Sequence, residues 1–259
     1  MNQTMKSLLL ILVLLSASST YAAGRYEGER NAFNRFHGKG TYTYTNGNVY
    51  SGDWEDGRKS GKGKQSWPNG DVYDGHWSDN RENGQGTMTW FNGDEYIGQW
   101  AGGKRHGKGI MIWADGVRYD GEWFRDKRQG FGEQTYANGD VYKGEWEQDQ
   151  RSGQGALVRK GGASLVGIWA EGKLTGDANV TFADGSRYTG PMLNNEPNGK
   201  GVCKQGDSLF PCEYQVGQKV GGKAKAVAKS VPKVAPKPAP KPAPKPEPPT
   251  KPSLPIPAR

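Results

Sequence analysis

Residues 70–86 read GDVYDGHWSDNRENGQG, and near copies flank them: NVYSGDWEDGRKSGKG at residues 48–63 and DEYIGQWAGGKRHGKG at residues 94–109. In the first, Tyr73, Gly75 and Trp77 fall at i, i+2 and i+4, the spacing that sets side chains on one face of a strand. The return half keeps the same period: Gly61, Gly63, Gln65 and Trp67, or Gly107, Gly109, Met111 and Trp113. Each phrase therefore reads as a hairpin, with a polar turn after the first Trp, such as Glu55 to Ser60, and a second turn at Pro68-Asn69-Gly70.

The second turn sets the register. A two-residue loop at Asn69-Gly70 puts Trp67 and Tyr73 on opposite faces. A three-residue loop, with Pro68 at the second position of a type I turn and Gly70 left-handed, keeps them together. The three-residue loop predicts the pairs 67–71, 65–73, 63–75 and 61–77. Each first-strand Trp then lies opposite a glycine, and a neighbouring ring is expected to cover it.

Aligned on the opening Tyr, the phrase starts at Tyr26, Tyr50, Tyr73, Tyr96, Tyr119, Tyr142, Leu165 and Tyr188, 24 residues apart once and 23 thereafter. A fixed period of this kind marks a repeat architecture. The strings YSGDWEDGRKSGKG, YIGQWAGGKRHGKG and YDGEWFRDKRQGFG resemble the membrane occupation and recognition nexus (MORN) repeat over about residues 26–206. The resemblance implies an all-β fold, an elongated and twisted single antiparallel sheet of about eight tandem hairpins. Sixteen strands at about 4.8 Å give a ribbon on the order of 75 Å long. Three units depart from the pattern. Repeat 1 has Arg30 in the Trp place, repeat 7 has Leu165 and Ala178, and repeat 8 has Met192 and breaks step after Gly206.

Outside the repeats the composition changes twice. Residues 1–22 carry Lys6, an apolar run from Leu8 to Leu15 and the small residues SASSTYAA, the order of a secretory signal cut after Ala22. From residue 221 to 259 the chain is Lys, Ala and Pro, ending in KVAPKPAPKPAPKPEPPTKPSLPIPAR, a composition expected to be disordered, extended and polyproline-like. Between them, residues 23–206 hold the eight repeats and residues 207–220 a capping hairpin. Cys203 and Cys212 are the only cysteines. Facing positions on a final hairpin in an exported chain are expected to close as a disulfide, and Pro211 suits an edge strand.

The net charge of +8 belongs to the tail. Residues 24–218 carry 24 Lys and Arg against 26 Asp and Glu, whereas residues 219–259 carry ten bases and one acid, Glu247. A nucleic-acid partner would need its basic face on the fold, so none is expected.

Candidate chemistry is sparse. His37 and His106 stand where other repeats carry Ser60, Asn83, Gln129 or Ser152, a turn position rather than a general base. His76 points away from the aromatic side. No His, Cys, Asp or Glu set has metal-ligand spacing, no serine has a triad partner, and the Gly-x-Gly elements precede no helix that would hold a phosphate. The expectation is no enzyme, no cofactor and no metal.

What remains is an interaction scaffold of the bacterial cell envelope, periplasmic or secreted, meeting a protein partner or a second copy through its aromatic and glycine face. The candidate partner-binding residues are Tyr50, Trp54, Trp67, Tyr73, Trp77, Trp90, Tyr96, Trp100, Trp113, Tyr119, Trp123, Tyr142 and Trp146. The same rings serve equally as the core of a thin sheet. The alternative is an envelope ligand-binding module for an anionic lipid headgroup or glycan, with the basic tail as tether to a membrane or cell-wall polymer.

Overall fold

A computed structural model describes residues 24–222. The signal sequence expected at residues 1–22 and the tail from residue 223 onward lie outside the described residues. Every regular element among those described is a strand. In chain order they are β1 (Arg25–Arg30), β2 (Phe36–Thr43), β3 (Val49–Glu55), β4 (Arg58–Ser66), β5 (Val72–Ser78), β6 (Arg81–Thr89), β7 (Glu95–Ala101), β8 (Lys104–Ile112), β9 (Arg118–Phe124) and β10 (Lys127–Thr135). There follow β11 (Val141–Glu147), β12 (Gln150–Val158), β13 (Ser164–Ala170), β14 (Lys173–Thr181), β15 (Arg187–Leu193), β16 (Glu196–Pro197), β17 (Gly199–Gln205), β18 (Ser208–Gln215) and β19 (Gln218–Gly221).

Strands pair antiparallel with their chain neighbours, except that β16 and β17 both pair with β15, and together they form one open sheet. The register is the expected one: Gln65 opposes Tyr73, Gly63 opposes Gly75 and Gly61 opposes Trp77. At the loop, Trp67 N donates to Asp71 O and Gly70 N to Trp67 O, with Gly70 at φ 97°, a conformation that favours glycine. The other turn is tighter than the polar run predicted. Strands continue through Glu55 and from Arg58, leaving only Asp56 and Gly57, both at positive φ, as a type I′ turn. The slack is taken up further along, where Gly61 and Lys62 bulge out of register with β3 and Gly61 adopts φ 56°.

The neighbouring ring that covers glycine is tyrosine. A Cβ on either Gly52 or Gly63 would collide with the Tyr50 ring, which lies across both strands. The indole of Trp77 leans instead toward the preceding hairpin, where its Nε1 donates to Gly63 O at 2.9 Å. Tyr50 Oη donates to Asp53 O at 2.9 Å, so both polar tips are satisfied by backbone. The pattern repeats at Tyr73, Tyr96, Tyr119 and Tyr142 and at Trp100, Trp123 and Trp146. Each Tyr meets two indoles edge-on, its own and the next: Tyr50 to Trp54 at 5.0 Å and to Trp77 at 5.2 Å. This edge-to-face zipper runs from Trp54 to Trp169 and forms the core of a single-layer sheet.

The C-terminal end carries more strand than eight hairpins require. The return strand of repeat 8 is broken at Asn198 into β16 and β17, beside Pro197, which has no N–H to give a ladder. β18 and β19 are then added. Cys203 and Cys212 are disulfide-bonded on β17 and β18. They are diagonal rather than facing, because Cys203 opposes Phe210 and Cys212 opposes Gly201. Pro211 sits on β18, which is not the edge. β19 pairs only with Glu213 to Gln215, so the ladder stops short of the proline and needs no donor from it.

Candidate partner-binding face

Three columns run across the hairpins on the aromatic face. Tyr50, Tyr73, Tyr96, Tyr119 and Tyr142 form the floor and have no accessible surface. Burial pushes their phenols well above the ordinary range. Beside them stand Trp54, Trp77, Trp100, Trp123 and Trp146, all buried.

A side chain absent from the sequence reading covers most of these indoles. Lys59 Nζ lies 4.2 Å from the Trp77 ring, and the guanidinium carbons of Arg105, Arg128 and Arg151 lie 4.4, 4.3 and 4.2 Å from Trp123, Trp146 and Trp169. Each cation comes from the preceding hairpin, so the stack ties neighbours together. The signal was present in the sequence, because Lys59, Arg105, Arg128 and Arg151 recur on the 23-residue period two places before the Gly-x-Gly. Glu82 holds that place in repeat 3, and Trp100 is the most exposed of its column at 8%.

Lys59 is the most confined of the cations. Its ammonium bonds Gln65 Oε1 and lies within reach of the Tyr44 and Tyr50 rings. Burial lowers its pKa to about 8, against a smaller opposing pull from the Glu82 carboxylate.

The third column is the accessible one. Trp67, Trp90 and Trp113 stand at the three-residue turns and are only half-buried, as are Tyr44 and Tyr136 at equivalent positions. Beside Trp90 a hollow opens, walled by Met111 and Arg105 and rimmed by Asp71 and Asp94. The rim is tied to backbone: Asp71 Oδ1 accepts from Phe91 N and Asp94 Oδ1 from Ala114 N, both at 2.9 Å, and farther along Asp140 Oδ1 accepts from Lys160 N at 3.0 Å. Each bond again joins consecutive hairpins.

The opposite face is polar at its N-terminal end, where Lys39, Thr41, Ser51, Lys62 and Lys64 line a shallow furrow. The Lys39 ammonium bonds Asp53 and holds that carboxyl below the usual range. Farther along, Ile97, Val166 and Ile168 are exposed on it. Among the described residues no three His, Cys, Asp or Glu side chains gather as a metal site. His76 Nδ1 lies 3.0 Å from Gln85 O on this outer face, and His37 lies 3.7 Å from Asp56 at a turn.

A single open sheet of tandem hairpins, with its core spread along one face, defines a β-hairpin repeat protein. The chain belongs to the MORN repeat family. The family model matches residues 32–49, 50–72, 73–95, 96–118, 119–141, 142–164 and 188–208. Residues 165–187 are not matched; they hold all but the first residue of the β13–β14 hairpin, where Leu165 and Ala178 replace the usual Tyr and Gly. The repeat itself is a scaffold rather than a catalytic fold.

No curated protein matches the chain. Among solved structures, it is similar to the TCP domain of SAS-4 (dCPAP) of Drosophila melanogaster in complex with a proline-rich motif of Ana2 (dSTIL). The identity is 14% and the TM-score 0.39, covering 65% of this chain and 90% of that one. It is also similar to a mutant TCP10 domain of Danio rerio CPAP, with 9% identity and a TM-score of 0.41, covering 78% of this chain and 95% of that one.

Proposed function

We propose that this protein is a non-enzymatic interaction scaffold of the cell envelope that takes a protein partner, or a second copy, along the turn-edge row Trp67, Trp90, Trp113 and Tyr136. The observation that carries this reading is the contrast within the aromatic face. Tyr and first-strand Trp rings are buried, most of the indoles beneath Lys or Arg, while the turn-edge rings stand half-buried at one-repeat intervals. Of the thirteen rings read as partner-binding, Trp67, Trp90 and Trp113 can be touched without opening the sheet; the others act by holding the row in place. Aromatic side chains at such sites supply large contact area at low entropic cost.

The experiment is affinity capture from native envelope with the full chain, against the same chain carrying Trp90→Ala and Trp113→Ala. Loss of the captured partner with unchanged melting supports the row. Identical capture with both variants refutes it.

A second reading, anionic lipid or cell-wall polymer held by the tail, is favoured by the ten bases against one acid in residues 219–259. Co-sedimentation with anionic vesicles, comparing the full chain with one ending at Gly222, tests it. Equal binding by both removes the tail from the account. An exported location rests on residues 1–22 and is tested by fractionating cells that express the full chain.

A further inference from the structure

We propose that the turn-edge row of one copy takes the Lys/Pro segment, residues 232–249, of a second copy, laid across the hairpins as a polyproline II helix. This rests on the row being an interaction surface, and it names the occupant.

Pitch is the first argument. Equivalent residues of successive hairpins are two strands apart, about 9.6 Å. A polyproline II helix completes a turn in three residues, about 9.3 Å. A segment running along the sheet axis therefore returns the same side to each successive ring of Trp67, Trp90, Trp113 and Tyr136. Alpha-helical and extended chains, at about 5.4 Å per turn and 6.7 Å per two residues, lose step within one repeat.

The second argument is composition. Residues 232–249 read PKVAPKPAPKPAPKPEPP, with proline at nearly every second place from Pro236. Proline's fixed φ favours the polyproline conformation in a sequence of this composition, so docking in that form costs less order than for an ordinary segment. Every second turn presents a proline to the row. The hollow beside Trp90, closed on its far side by Met111 and Arg105, offers a pyrrolidine ring an aromatic wall and an aliphatic one.

Charge is the third. The turns at 67–72, 90–95, 113–118 and 136–141 carry Asp71, Asp94, Glu95, Asp115 and Asp140 against Arg118 within them and Arg105 on the wall of the hollow, so acids outnumber bases along the row. The segment carries Lys233, Lys237, Lys241 and Lys245 against Glu247. Opposite signs steer the two together and select this segment over acidic ones.

Each copy presents both a row and a segment, so two copies satisfy each other twice in a closed two-fold exchange, and the second docking is intramolecular.

The test is sedimentation velocity of the full chain over a concentration series, with tryptophan emission recorded in parallel. The expected result is a monomer–dimer equilibrium weakened tenfold or more by Lys237→Glu, Lys241→Glu and Lys245→Glu together, and similarly by raised salt. Those substitutions lie outside the sheet, so they keep the test valid if Trp90→Ala disturbs folding. A chain that stays monomeric throughout, or a dimer indifferent to the lysine substitutions, overturns the proposal. So does tail-dependent emission in a monomer, which would mean occupancy within one chain. None of these results touches capture of a separate partner by the row, which the Trp90→Ala and Trp113→Ala comparison decides independently.

Discussion

The ring of Tyr50 fills the space that a Cβ on Gly63, in the neighbouring strand, would need. Because the same ring also excludes a side chain from Gly52, one tyrosine dictates two glycines. The glycine of Tyr-x-Gly and the second glycine of Gly-x-Gly are thus two halves of one packing requirement, while the first, Gly61, is set by its positive φ in the bulge. Gly63→Ala is expected to displace the ring and cost about 1–3 kcal/mol, the usual scale for overpacking a filled core. In a sheet of this size that lowers Tm by roughly 2–4 °C per kcal/mol. Thermal denaturation followed by near-ultraviolet circular dichroism checks it. Tyr50→Phe is expected to cost about 1 kcal/mol through loss of the bond to Asp53 O, and a neutral result for Gly63→Ala would refute the packing account.

The cation over each indole gives a separable prediction. Arg128 stacks on Trp146 and also donates from Nη2 to Asp149 O, at 2.9 Å. Arg128→Met keeps much of the aliphatic bulk and removes the stack together with the guanidinium's bonds to Asp149 and Gln134, and should cost about 1–2 kcal/mol. The equivalent change at Glu82→Met, where no cation covers Trp100, should be near neutral. A double-mutant cycle of Arg128→Met with Trp146→Phe measures the coupling, and additivity would show that the stack contributes nothing.

Much of this was legible in the sequence because the two periods, 2 along a strand and 23 along the chain, act on residue types with few alternatives. Register followed from Pro68-Asn69-Gly70, since only an odd loop keeps Trp67 and Tyr73 on one face. What escaped was what depends on side-chain reach rather than backbone parity. Tyr50 rather than Trp77 covers the glycines because a phenol two places from Gly52 lies along its own strand and over the next, a direction that alternation does not encode. Lys59 and Arg128 recur on the repeat period, but alternation marks them only as same-face residues, and long aliphatic stems can turn toward a ring as well as toward water. The diagonal of Cys203 and Cys212 follows from the last turn, where Gln205 pairs with Ser208 across only Gly206 and Asp207, one residue fewer than the repeat's loop, so that Cys203 opposes Phe210.

Lys59 makes the stability depend on pH. Its folded pKa of about 8 lies below the ordinary 10.5, so between these values the unfolded chain binds more protons than the folded one. The cost of burying its charge is therefore full below pH 8 and is relieved as pH rises toward 10.5. The core tyrosines act oppositely but later: their raised values leave stability intact below pH 10 and remove it above. From about pH 7.5 to about pH 9.5 the native chain should gain about 1–2 kcal/mol relative to Lys59→Met, allowing for residual hydration of the ammonium. Urea titrations of both proteins at the two pH values check the sign. Parallel behaviour of the two would mean that Lys59 titrates normally in the fold.

The disulfide predicts where unfolding starts. Cys203 and Cys212 close a short loop between β17 and β18, and beyond them only β19, paired over three residues, guards the end of the sheet. In a structure whose hairpins touch mainly their neighbours, stability is close to a sum of local terms, so damage at one end stays there. Reduction should remove roughly 2–3 kcal/mol from the cap, the loop-closure scale for a loop this short. Tyr73 and Trp100 and the hairpins around them should be unaffected. Hydrogen exchange on the oxidised and reduced protein separates the outcomes. Faster exchange confined to residues 188–221 supports local closure. Acceleration that spreads to Tyr50 and Trp77 would mean that the sheet unfolds as one cooperative body, and that the cap carries stability for the whole ribbon.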